Sequence, residues 1–386
     1  MSSVREIPFG RPWIDDTDRA AVDRVLHGHI LTHGPECKAF EQEFGAFVGP
    51  AAHALSMSSC MAALHMAYVN FGIGPGDEVI VAAQTHVATA HAVEFVGAKP
   101  VFVDCDPATG NVTADRIAPL VTSKTRAIGL VHFCGVPCEM GPIVELAKGH
   151  DLKIVEDCAI AIGSRIGDTH VGMFGDIGTF SFYPVKHITT GEGGMLVSRH
   201  ADLVASIAKK RAFGVDRSNA ASLIPGAYEV PGVGINYRMS EMSAALGRTQ
   251  VKKLPEILSR RAKNFAALKG RLTKIEGVRV LDGTAPNTTN SHYCLVAVLE
   301  GALAGKRDAI VKAINLRGIG TSVYYPQPVP RMAYYKKKYG YEAGRFPNAE
   351  AISDHGFALP VGPHMTEDDA RYVGDVFASV VEETRK

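Results

Sequence analysis

The chain has 386 residues, 46% hydrophobic and 21% charged, which is long and apolar enough to bury the cores of two domains. Its 41 Lys and Arg stand against 40 Asp and Glu, a formal charge of +1, so no global field selects nucleic acid or an anionic membrane. The opening MSSVREIPFGRPW holds no apolar targeting segment, and no run approaches the roughly 20 apolar residues a membrane span needs, so we expect a soluble cytoplasmic protein.

Residues 15 to 28 are expected to form a helix, with Ala21, Val22 and Val25 apolar and Asp15, Asp16 and Asp18 at the start, where acids suit the helix dipole. Thr32-His33-Gly34-Pro35 breaks the chain. A second helix follows, carrying Cys37, Phe40, Phe44 and Phe47 at three- and four-residue spacing as core residues. Ala54 to Met57 then forms a short strand that runs through Ser58-Ser59-Cys60 into a helix bearing Met61, Leu64, Tyr68 and Phe71. Such a junction aims free amides at the loop and makes an anion site, although plain N-capping by Ser58 or Ser59 explains the same serines. After the loop Gly72 to Glu78 comes a buried strand, Val79 to Ala83. Gln84-Thr85-His86 opens a helix that ends at Gly97, and Pro100 to Val103 is the next strand. This alternation predicts a mostly parallel sheet covered by helices on both faces.

Seven cysteines, Cys37, Cys60, Cys105, Cys134, Cys138, Cys158 and Cys294, are scattered along the chain and read as free thiols. Cys134 and Cys138 stand at C-x3-C spacing, but no second Cys or His pair lies at zinc-like spacing, so no metal is expected.

The stretch 153 to 198 carries the chemistry. A β-branched strand delivers Glu156 and Asp157 at its carboxyl end, and Gly172 to Asp176 makes a turn. A second strand, Ile177 to Phe182, runs out at Pro184. Lys186 follows, then Gly191-Glu192-Gly193-Gly194 and a third strand, Met195 to Val197. An acid and an amine thus sit at strand ends, where open α/β sheets place ligands. A lysine fixed between Pro and Gly-rich backbone is placed to lose its proton and bond a carbonyl carbon. A nearby carboxylate would complete a pyridoxal phosphate site by keeping the ring nitrogen protonated, and Ser181 offers a hydroxyl to the phosphate. The bland alternative makes Asp157 a turn cap and Lys186 a solvated surface lysine.

Further on, a helix around Leu203 to Phe213 precedes a Gly-, Ala- and Pro-rich excursion, 215 to 234. Gly234-Ile235-Asn236-Tyr237-Arg238-Met239 then leads into a helix, Met242 to Leu254. By sequence alone Asn236 is a loop residue and Ser240 an N-cap. Beyond Pro255 the pattern changes to a polar helix (255 to 273), strands 293 to 299 and 320 to 324, a helix 307 to 316 between them, and a last helix 367 to 383. We therefore divide the chain into a large α/β domain, 1–254, and a smaller C-terminal α+β domain, 255–386. Tyr324-Tyr325-Pro326 and Leu359 to Pro363 are open to two readings, contact with a substrate or packing at a hinge.

The pattern Glu156-Asp157, Gly163, Gly172, Gly175-Asp176, Phe180-Ser181-Phe182, Pro184, Lys186 and Thr190-Gly191-Glu192-Gly193-Gly194 resembles the DegT/DnrJ/EryC1/StrS sugar aminotransferases, which are fold-type I pyridoxal phosphate enzymes. The resemblance extends from about Ile7 to about Val380. It implies that Asp157 pairs with the ring nitrogen, Ser181 binds the phosphate of pyridoxal 5'-phosphate, and Lys186 bonds the cofactor. It places an aromatic ring on the cofactor at His86, and it makes Asn236 reach the phosphate in the neighbouring subunit of a homodimer with shared active sites. Where the family reads Ser-Gly-Thr at the phosphate grip, Cys60 and Met61 replace the Gly and Thr. Ile160 stands where relatives carry Gln, His or Glu near the ring oxygen. The implied reaction moves an amino group from glutamate to a keto group on a nucleotide-linked deoxysugar, with Lys186 as the base. Two rivals stand beside it: a sugar dehydratase of the same family, in which a histidine replaces the lysine, and a non-catalytic regulatory protein that binds the cofactor.

Overall fold

A computed structural model describes residues 5–215, 228–283, 285 and 287–385. Helix α1 (Asp16–Leu26) starts where its acids predict. The Asp15 side chain accepts the amides of Thr17 and Asp18, and Asp18 accepts the amide of Asp15, a reciprocal cap. Helix α2 (Pro35–Val48) begins on its proline and buries Phe40 and Phe44 completely. Their rings meet Phe182 at 5.2 and 5.4 Å, and Phe44 also meets Phe180 at 5.1 Å, so this helix is pinned to the strand that precedes Lys186.

From there strands and helices alternate: β1 (His53–Met57), α3 (Cys60–Asn70), β2 (Glu78–Ala82), α4 (Val87–Phe95), β3 (Lys99–Val103), α5 (Ala114–Ile117), β4 (Thr125–Val131), α6 (Met140–Gly149) and β5 (Lys153–Asp157). A two-residue hairpin, β6 (Arg165–Ile166) and β7 (Thr169–His170), precedes β8 (Ile177–Ser181), β9 (Gly194–Ser198) and α7 (Ala201–Lys210). The long strands form one seven-stranded sheet in the order β1-β9-β8-β5-β4-β2-β3, in which only β9 pairs antiparallel to its neighbours. The mostly parallel sheet expected from the alternation is what forms, because β2 and β4 are largely apolar and they and β5 are buried along nearly all their length. Register sets Val131 beside Asp157 and Asp157 beside Thr179, so the carboxyl ends of three central strands converge.

Beyond the sheet the structure departs from the sequence reading in two places. The helices expected on either side of Pro255 are one helix, α8 (Glu241–Leu272), of 32 residues. Proline removes one donor, but Val251, Leu254, Ile257, Arg261 and Leu268 carry the buried stripe straight through it, and α8 packs on α1, α2 and the C-terminal helix. The second departure is the strand expected at 320 to 324. Gly320 donates to Ile7 and Ser322 exchanges bonds with Ala358, but no ladder forms before the chain turns inward at Tyr324. The second sheet instead comprises β10 (Val278–Leu281), β12 (Leu295–Leu299) and β13 (Gly356–Leu359), while β11 (Thr288–Thr289) joins the β6–β7 hairpin. Helices α9 (Arg307–Asn315), α10 (Ala333–Tyr339), α11 (Pro347–His355) and α12 (Glu367–Arg385) complete this part. Of the excursion at 215 to 234, residues 216–227 lie outside the described residues.

Candidate active site

Strand β5 ends in two acids that face opposite ways. Glu156 is fully buried and accepts the amides of Gly172, Phe174 and Gly175 at 2.7, 2.8 and 2.6 Å, together with His132 Nε2 at 2.9 Å. Burial alone would raise its pKa, yet the His132 contact and the amides outweigh burial and hold it below the ordinary value. The turn 172–175 is folded around this carboxylate. Gly172 adopts φ +90°, with Phe180 and Cys158 filling the space a side chain would need.

Asp157 turns to the other face, onto a cavity of about 420 Å³. Its Oδ1 accepts the amide of Ala159 at 3.0 Å, so it does cap a turn, as the bland alternative held. Its Oδ2 accepts the Thr89 hydroxyl at 2.8 Å, and the Cys60 thiol lies 3.9 Å from Oδ1.

Lys186 stands across this cavity. Phe182 closes the base of its loop in both directions, donating to Gly193 at 3.0 Å and accepting from Thr190 at 2.9 Å. The lysine is half-buried, with Nζ 5.2 Å from the centre of the Tyr293 ring, and is not the solvated surface lysine of the alternative reading. Burial pushes its pKa down from the ordinary lysine value, and the Asp157 charge only partly opposes that shift.

Cys60, Met61, His86, Asp157, Ile160, Ser181 and Lys186 all line this one cavity. Ser59, not Ser58, caps α3 by accepting the Ala62 amide at 3.0 Å, which leaves the first amides of the helix at the cavity wall. Strand β9 crosses that helix start so closely that a Cβ on Gly194 would lie 2.5 Å from the Cys60 amide nitrogen. His86 caps α4 and sets its ring edge-on to Tyr325 at 5.8 Å; burial pushes its pKa down. Ser181 accepts the Tyr183 amide at 3.4 Å, while Ile160 is almost wholly buried and offers only alkyl surface. Asn236 is exposed and lies outside this cavity.

Other residues at the site escaped the sequence reading. Thr89 stands one turn after His86 on α4, a spacing that signals a shared face. Tyr293 lies far along the chain and carried no signal. Tyr324 and Tyr325, left open between substrate contact and hinge, line the cavity, whereas Val361 and Gly362 of the Leu359 to Pro363 turn accept bonds from Asn264 on α8.

An amine held toward its neutral form, a carboxylate fixed by a hydroxyl and an amide, and a helix N-terminus around one cavity form a donor set that fits pyridoxal phosphate, with its aldehyde, ring nitrogen and phosphate. The seven cysteines are buried free thiols. Among the described residues the one cluster of metal-ligand type is His132, Glu156 and Cys158. Its atoms are already engaged: Glu156 has the four donors above, and His132 Nδ1 accepts the Cys138 amide at 3.0 Å.

A model of the DegT/DnrJ/EryC1/StrS aminotransferase family matches residues 12–378. The chain is 35% identical to the GDP-perosamine synthase of Caulobacter vibrioides, with 96% of each chain covered. It is 34% identical to the spore coat polysaccharide biosynthesis protein SpsC of Bacillus subtilis, over 97% of this chain and 96% of that one. Among solved structures it superposes on the pyridoxal-phosphate form of the sugar aminotransferase Spr1654 of Streptococcus pneumoniae, described as putative, with a TM-score of 0.91 at 26% identity, covering 98% and 99% of the two chains.

Proposed function

Because the chain belongs to the DegT/DnrJ/EryC1/StrS aminotransferase family and is a pyridoxal-phosphate-dependent sugar aminotransferase, we propose that it moves an amino group from glutamate to a keto group of a nucleotide-linked deoxysugar. The observation that carries this reading is the pairing of Lys186 and Asp157 across one cavity, with burial lowering the lysine pKa. When bound, pyridoxal phosphate supplies the electron sink that lets a bond at the donor's α-carbon break. Lys186 Nζ would be the covalent anchor for the cofactor and the base that takes the proton from the donor's α-carbon, a task that requires its neutral form. Asp157, held by Thr89 and Ala159, would keep a proton on the cofactor's ring nitrogen. The amides of α3 and the Ser181 hydroxyl would receive the phosphate, and His86 would cover the ring.

The dehydratase rival needs a histidine in place of the lysine. Here the neighbouring His187 is buried and bonded through Nε2 to the Ser291 carbonyl at 3.1 Å, which supports the transfer reading.

The proposal includes a homodimer with shared sites. It is supported by the position of Asn236, exposed and away from its own chain's cavity, beside the exposed apolar residues Phe213 and Val233. It also includes a division into domains 1–254 and 255–386, with Tyr324 and Tyr325 of the second closing the cavity built by strands of the first. Among the described residues no helix is long and apolar enough to cross a membrane, and buried free thiols suit the reducing cytoplasm in which we place the enzyme.

Absorbance of the purified enzyme mixed with glutamate tests the donor, since amine transfer changes the cofactor's spectrum and a regulatory binder leaves it unchanged. Screening keto-sugar nucleotides for amine gain tests the acceptor. Mixing Lys186→Ala and Asn236→Ala chains tests the dimer, because one site of a mixed pair keeps both wild-type residues and activity returns; a fully active monomer refutes it.

A further inference from the structure

Two tyrosines from distant parts of the chain meet at the lysine. Tyr293 is buried, and its ring centre lies 5.2 Å from Lys186 Nζ. Its hydroxyl is 2.6 Å from that of Tyr324, and the two rings stand nearly perpendicular at 5.4 Å. Tyr293 is itself fixed from behind: the buried Arg261 of α8 donates to its carbonyl at 2.8 Å and sets its guanidinium 5.9 Å from the ring. Tyr324 is fixed at its backbone, where Gln84 donates to its carbonyl at 3.1 Å, while Ser353 donates to Gln84 at 3.0 Å. A rigid, buried phenol thus touches the reactive amine with its face and a cavity-lining hydroxyl with its edge.

We propose that Tyr293 is a positioning residue serving both ends of the site: its ring face holds the Lys186 amine, and its hydroxyl fixes the Tyr324 hydroxyl where it hydrogen-bonds the amino acceptor. An aromatic face attracts an ammonium and favours the charged form of the lysine. Burial lowers the Lys186 pKa, and the ring therefore acts with the Asp157 charge at the end of β5, which raises it. His86 and His187 also face the Lys186 charge, and both are pushed down by burial. The second half of the proposal rests on the amino-acceptor reading given above. Of the two hydroxyls only that of Tyr324 belongs to a cavity-lining residue, and a hydroxyl already paired to a fixed partner loses little freedom on meeting a second one.

The ring and the hydroxyl are separable. Tyr293→Phe keeps the ring, whereas Tyr293→Leu removes it. In the cofactor-free protein, the pH dependence of trinitrobenzenesulfonate modification at Lys186, read by peptide mapping, reports the amine alone. Tyr293→Phe should leave this titration unchanged and Tyr293→Leu should move it down by about one pH unit. A Tyr293→Leu protein that folds, judged by its melting transition, and still titrates as wild type overturns the role of the ring. For the hydroxyl, Tyr293→Phe and Tyr324→Phe should each raise the keto-sugar KM about three- to tenfold with a smaller change in kcat, and the double variant should be no worse than either. Multiplicative losses, or an unchanged KM in both, overturn that half. If glutamate fails to change the wild-type spectrum, the glutamate-donor reading falls, while the Lys186 titration still decides the role of the ring.

Discussion

Glu156 and Asp157 are consecutive, both acidic and both buried, yet they face different worlds. On one side of β5 the carboxylate is saturated by three amides and a histidine and organises a turn. On the other, the carboxylate is held by one hydroxyl and one amide and faces a cavity that also holds an amine. The side of a strand on which an acid falls, set by the two-residue period of the pleat, decides whether it is structure or chemistry.

The cavity side breaks most completely at its amine. Lys186→Ala should abolish the glutamate-driven spectral change, a loss of up to about 10⁴-fold given what a positioned base contributes, with the melting temperature of the cofactor-free protein unchanged. Borohydride reduction followed by peptide mapping should put the cofactor on Lys186, and labelling elsewhere refutes the assignment. Asp157→Asn sharpens the contrast, since it keeps the shape and loses the charge; we expect kcat to fall about 10²- to 10³-fold while stability changes by less than about 1 kcal/mol.

Glu156→Gln should do the reverse. It weakens four hydrogen bonds to a buried charge and is expected to cost about 2–4 kcal/mol in urea unfolding while leaving Lys186 chemistry present. Its pH signature is distinct. The folded pKa of Glu156 lies below its unfolded value of about 4.3, so its contribution is complete above that value and is lost as pH falls through the lower, folded one. Wild type should therefore lose stability below about pH 4 more steeply than Glu156→Gln; parallel acid curves refute the role.

The smallest effects lie where this cavity lacks polar groups. If the phosphate sits at the start of α3 as proposed, Met61→Thr adds a hydroxyl toward it and should tighten cofactor binding about 10- to 100-fold, the worth of a hydrogen bond to a charged group. On the same proposal Ile160→Gln adds a neutral donor where the resemblance puts the ring oxygen and should tighten it about 2- to 10-fold. Titration of cofactor into the apo proteins measures both, and unchanged or weaker binding refutes the argument.

Much of this was legible in the sequence because buried parallel strands read as apolar runs, and their ends mark a site. The acid, the amine and the cysteine-methionine junction are all local features. Thr89 was within reach, three residues after His86. Tyr293 was not, since nothing local says that its ring will lie over Lys186. The stretch 320 to 324 looks like a strand, yet its backbone partners are Ile7 and Ala358, residues remote in sequence. Pro255 reads as a stop, and only the buried stripe on both sides of it reveals that the helix continues.

That continuous helix has a mechanical consequence. At 1.5 Å per residue α8 is a rod of about 48 Å, of which some 26 Å lies beyond Pro255. A rod embedded at one end under α1 and α2 and at the other under α12 resists sliding and yields only by bending, most easily where the proline has removed a bond. A bend of about 10° there would swing the far end by roughly 4–5 Å, given that length. Arg261, less than two turns past the proline, would travel only about 1–2 Å and carry Tyr293 with it. Such a bend would displace the periphery of the fold more than the neighbourhood of the lysine.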